Sequence, residues 1–124
     1  MNEAELKELL VKLSGVRDFK LELLPKYSKS YWGRYFVVRK IIRLYALDEN
    51  GEQYPDDILI REATHELAHH MQYHHIPGWK PKKGVMHDSL FHELHKAFLD
   101  KAFGRKVTVK YSPIVERIVA SRKN

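Results

Sequence analysis

The segment PDDILIREATHELAHHMQYHH, residues 55–75, constrains this chain more than any other stretch. It runs without a glycine, carries acidic residues at its start, and is halted by Pro77-Gly78. The pattern predicts one long helix, with Asp56 or Asp57 as its N-cap. Ile60, Ala63, Leu67 and Met71 form an apolar stripe at helical spacing, so that face is expected to pack on a core. The opposite face carries histidines, and five of them fall within residues 63–75. A helix of this length needs other elements to cover it, and 124 residues are enough for one modest domain.

Around this helix the remaining segments predict an α+β domain. Leu6, Leu9, Leu10 and Leu13 mark a first helix of roughly ten residues. Asn2 and Glu5 resemble a capping box, and Gly15 closes the end. Residues 16–24 read as a strand ended by Pro25. The aromatic and β-branched stretch at 32–47 predicts one or two strands, followed by a turn at Asp48 to Gly51. A loop with two prolines and two glycines follows the long helix, and residues 87–104 predict the next helix. Residues 106–111 read as a short strand, and 112–123 as a final helix with Pro113 at its first position. Nothing suggests a linker or repeat, so residues 1–124 are expected to form a single domain with a small antiparallel or mixed sheet packed on the long helix and its flanking helices.

Composition excludes several classes. The chain has no cysteine, so disulfides, thiolate zinc ribbons and cysteine nucleophiles are all ruled out. No apolar run approaches the roughly 18 residues that span a bilayer. The acidic, amphipathic start does not fit an export signal, and a cytoplasmic location is expected, in the host cytoplasm if the protein is viral. The net charge of +6 is compatible with nucleic acid as a partner through a basic surface, although the basic residues are scattered apart from clusters at 80–84 and at the end.

His65-Glu66-Leu67-Ala68-His69 is an H-E-x-x-H pattern. On a helix, residues four apart lie about 40° apart around the axis, so His65 and His69 project side by side and can share one Zn²⁺. Glu66 is turned about 100° from His65, which places its carboxylate beside a metal rather than on it, as a general base requires. His70 and His74 form a rival pair with no carboxylate one residue on. They are expected to face solvent near the helix end, as is His75. A catalytic zinc takes a third protein ligand. On the next helix His87 lines up with the apolar stripe of Phe91, Leu94 and Phe98, which favours it over Glu93, His92 and His95. Asp88 reads either as a carboxylate supporting a ligand or as a first-turn acid.

HELAHH, a short loop and then HDSLF resemble the SprT-like and WLM metalloproteases, the group that includes Spartan. The likeness covers roughly residues 30–100 and extends to Gly33 and the strand-like KIIRLYAL at 40–47. It implies a zincin-like core over the single domain, with zinc held by His65, His69 and His87, Glu66 as catalytic base, and Phe91 as the family's aromatic residue. It also implies a metalloendopeptidase acting on protein or peptide substrates, in some members proteins crosslinked to DNA. The family's frequent cysteine zinc ribbon is missing here. Gluzincin-type peptidases are a weaker likeness: Glu93 would be their ligand, but Ala97 stands where they carry an aspartate.

Three activities remain open to such a sequence. The first is a peptidase, with an oxyanion donor among Tyr27, Tyr31, Tyr35 and Tyr73 and a substrate-aligning edge strand in the 36–47 region. The second is a non-catalytic module in which a fourth ligand, His92 or His95, closes a structural zinc site. The third is a zinc hydrolase of a different bond. Trp79, in the loop between the ligand helices, reads either as part of the cleft or as a loop anchor. Oligomeric state has no signature in the sequence.

Overall fold

The structure is a computed structural model and describes residues 1–120. It is a small α+β fold with elements α1 (Glu3–Ser14), β1 (Lys20–Leu24), β2 (Gly33–Phe36), β3 (Ile41–Tyr45), α2 (Asp56–His75), α3 (Ser89–Ala102) and α4 (Pro113–Ala120). The last residues expected in the final helix, 121–123, lie outside the described residues.

The first helix is capped as its sequence predicts. The Asn2 side chain accepts from Glu5 N, the Glu5 carboxylate accepts from Asn2 N, and Gly15 takes the left-handed conformation at φ 82°. The three strands form a mixed sheet of order β1-β3-β2, with β1 parallel and β2 antiparallel to β3. The β2–β3 hairpin thus inserts its second strand beside β1, which leaves β2 at an edge. The edge strand beside the long helix is therefore 33–36, and residues 41–45, expected to include it, form the sheet's centre. Ile42 and Leu44 point from that central strand into the core.

α2 is the spine. It packs against α1, α3, β2 and β3, and Ile60, Ala63, Leu67 and Met71 are all buried, as their spacing requires. Burial is not confined to that stripe: Glu66 and His70 are buried under the sheet, and Gln72 is buried towards α3, where it meets Asp88. The expectation that His70 faces solvent is corrected on this ground. The N-cap is Pro55, not an aspartate, and it makes no side-chain cap bond. Asp56 and Asp57 occupy the first turn, where the helix dipole favours acidic groups.

Residues 106–111 are not a strand. Val107 and Val109 alternate correctly but remain exposed, and the segment joins no strand of the sheet. The segment instead leads to Tyr111, which is buried and donates to Asp100 Oδ2 at 2.5 Å, and on to α4, which packs on α3 and α1. Among the described residues no helix is long and apolar enough to cross a membrane.

Candidate metal centre

α2 sets His65 and His69 side by side, their ring centroids 5.2 Å apart. His87 arrives from the other side at 4.7 Å from His65 and 5.1 Å from His69. One ring nitrogen from each of the three lies within 4.8 Å of the others. Tetrahedral zinc with nitrogen at about 2.0–2.1 Å separates its ligand atoms by about 3.4 Å, so small side-chain rotations close the set.

His87 reaches this position by a different route from the one its helical spacing suggests. α3 begins at Ser89 with Asp88 as N-cap, so His87 lies before the helix and belongs to the loop. The Asp88 carboxylate fixes that junction. It accepts from Phe91 N at 2.8 Å, Gln72 Nε2 at 2.8 Å and Trp79 Nε1 at 2.9 Å, joining α3, α2 and the intervening loop. Asp88 is thus a helix cap and anchor, and Trp79 a loop anchor that also borders a small cavity next to His69. Phe91 forms the floor, with its ring 4.5–4.8 Å from all three imidazoles.

The other imidazoles of α3 stand outside the cluster. His95 Nε2 is engaged by Thr64 Oγ1 at 3.1 Å and by the Arg61 carbonyl at 3.2 Å. The ring of His92 is 6.2 Å from that of His87. The Glu93 carboxylate accepts from Ser112 N. No fourth protein ligand joins the three among the described residues.

Electrostatics suit the set to a cation. Burial lowers His65 to about 3 and His69 to about 4, reinforced by the neighbouring imidazoles, so both are neutral at pH 7 with a lone pair to offer. His87 is lowered for the same reasons. Glu66 is 5% exposed, and burial, with a smaller contribution from Glu62, pushes its carboxyl up to about 8. A divalent ion nearby would pull that value down again.

Glu66 lines the same cleft as the three histidines, a space of about 380 Å³. Its Oε2 lies 3.4 Å from where a Cβ at Gly33 would be, so the edge strand passes directly over the carboxylate. Gly33, Arg34 and Tyr35 of that strand form one wall. Of the four tyrosines considered as oxyanion donors, Tyr31, Tyr35 and Tyr73 line the cleft and Tyr27 does not. The Tyr35 hydroxyl is already bonded to His70 Nδ1 at 2.7 Å, which leaves Tyr31 and Tyr73.

Sequence reasoning missed the Tyr35–His70 pair and the role of Gln72. Neither has a local signature: the partners are 35 and 16 residues apart. No family model, curated protein or solved structure matches the chain.

Proposed function

We propose that this chain is a zinc-dependent metalloendopeptidase with a zincin-like core, similar to the SprT-like and WLM peptidases. The observation that carries the reading is the open three-histidine set with a buried glutamate on the same cleft wall. Its donor chemistry fits zinc: three neutral imidazoles, held in place by Phe91 and the Asp88 anchor, with no carboxylate in the set. A purely structural site would be expected to close with a fourth protein ligand, and His95, the best placed, is hydrogen-bonded elsewhere.

Zinc held by His65, His69 and His87 would supply Lewis acidity, lowering the pKa of a water and polarising the scissile carbonyl. Glu66 accepts the proton as water attacks and hands it to the leaving amine. The apolar burial that raises its carboxyl in the metal-free protein also excludes competing water from the base. Tyr31 or Tyr73 donates a hydrogen bond to the developing oxyanion. The outer edge of β2 offers unpaired backbone groups to an extended peptide, which would lie as an added strand over the cleft. The net charge of +6 favours substrates associated with DNA.

The test is cleavage of an unstructured DNA-binding protein by the zinc-loaded enzyme, with and without single-stranded DNA, beside Glu66→Gln. The variant is expected to keep its zinc and lose at least a hundredfold in turnover. Full activity in that variant would refute the assigned base. A zinc-loaded wild type that cuts nothing would favour a binding module.

A further inference from the structure

A second group of ligand atoms lies on a different face of α2. Asp18, in the loop between α1 and β1, lies against the last turns of α2, 52 and 57 residues away in sequence. Its Oδ1 is 2.9 Å from His70 Nε2, and both of its oxygens are 2.9 Å from His75 Nε2. One ligand atom from each of the three lies within 4.8 Å of the others. His70 follows His69 in sequence but is turned about 100° around the helix, so the two groups do not share a ligand.

We propose that Asp18, His70 and His75 form a second binding site for a divalent transition-metal ion, one that staples the α1–β1 loop to the end of the active-site helix. Two imidazoles and a carboxylate are a donor set suited to Zn²⁺, and also to Ni²⁺ or Cu²⁺. Three features go beyond proximity. His70 is 0% exposed, and its remaining nitrogen, Nδ1, is bonded to Tyr35 Oη at 2.7 Å, the outer partner that fixes ring orientation in metal-ligating histidines. Asp18 and His75 are partly exposed, at 39% and 28%, so an ion has a path in from solvent. Lys40 already places its ammonium 3.5 Å from Asp18 Oδ2, beside the vertex a metal would share, and its flexible, part-exposed side chain can swing away.

Ion binding needs lone pairs on both Nε2 atoms. Each imidazole then carries its proton on Nδ1, and that of His70 is donated to Tyr35 Oη in place of the bond it now accepts. The proposal does not depend on the peptidase reading, because none of its ligands belongs to the His65, His69 and His87 set.

The experiment is a count of bound ions. Full-length protein is stripped with a chelator, titrated with Zn²⁺ alone, and assayed for bound zinc after removal of excess. Wild type is expected to hold two ions, His75→Ala one, His69→Ala one, and the double variant none. His75 is part-exposed at the helix end, so its removal is expected to leave the fold intact, which circular dichroism checks. Lys40→Met keeps every ligand and removes a competing cation. It is expected to tighten the second site by up to about fivefold, the cost of breaking the unit-charge pair of Lys40 and Asp18 at about 4 Å in a water-like medium. A His75→Ala protein that binds as many ions as wild type would overturn the proposal.

Discussion

Replacing Gly33 with alanine tests the link between the edge strand and the glutamate beneath it. A Cβ there would lie 2.9 Å from Leu44 Cδ2, 3.2 Å from the Arg43 carbonyl oxygen and 3.4 Å from Glu66 Oε2. Leu44 is 1% exposed on the central strand and Arg43 presents backbone, so neither neighbour yields freely. Overpacking of this kind costs about 1–3 kcal/mol, and the stiffer unfolded chain of alanine costs the folded state about 0.4–1 kcal/mol less. The net loss is about 0.5–2 kcal/mol, or a fall in Tm of about 2–12 °C for a domain of this size. If β2 is pushed outward to relieve the clash, the cleft wall moves relative to Glu66. Turnover is then expected to drop about tenfold while zinc affinity holds, since no ligand touches Gly33. Thermal unfolding of the zinc-loaded protein and peptide cleavage, measured side by side, decide the matter. A variant as stable and as active as wild type would show that the close approach has no consequence.

Phe91→Ala removes the floor shared by three imidazoles and leaves a cavity in the core. It is expected to cost about 3–5 kcal/mol in stability, read by denaturant unfolding, and to weaken zinc binding at least tenfold. The metal-free protein carries a pH signature of Glu66. Between about 4.5 and about 8 the unfolded chain has released that proton and the folded chain has kept it, so this group destabilises the fold as pH rises. Glu66→Gln removes this slope, and its Tm advantage over metal-free wild type is expected to grow across that window. His65 and His69, whose values are lowered by folding, act oppositely below 6.5 and are common to both proteins.

The parts of this molecule legible in the sequence are those set by local rules. The capping box at Asn2, the stop after His75, the stripe of Ile60, Ala63, Leu67 and Met71, and the side-by-side placement of His65 and His69 all follow from helical periodicity and end signals. His87 was reachable by pattern, but the reason differed. It sits in the loop because Asp88 bonds Phe91 N and starts the helix at Ser89, two residues later than expected. The edge strand was misplaced because strand order depends on which neighbour the hairpin chooses, and nothing in residues 33–45 encodes that choice alone. The burial of His70 was illegible for a related reason. A helix wheel shows which face is polar, whereas its cover comes from Asp18 and Tyr35, distant in sequence.

The three bonds converging on Asp88 have a bearing on how such a protein diversifies. They hold the loop near its entry, through Trp79, and at its exit, next to His87, while Pro81, Lys82, Gly84, Val85 and Met86 between them border a cavity beside His69. Residues 81–86 are all exposed, although Gly84, at φ 78°, would strain any side chain placed there. The span between the anchors can therefore change in length and character without shifting the ligand that follows it. On the proposed peptidase reading, selectivity and chemistry are mechanically decoupled, so descendants of this chain can acquire new preferences by rewriting a few exposed residues while the histidines stay where they are.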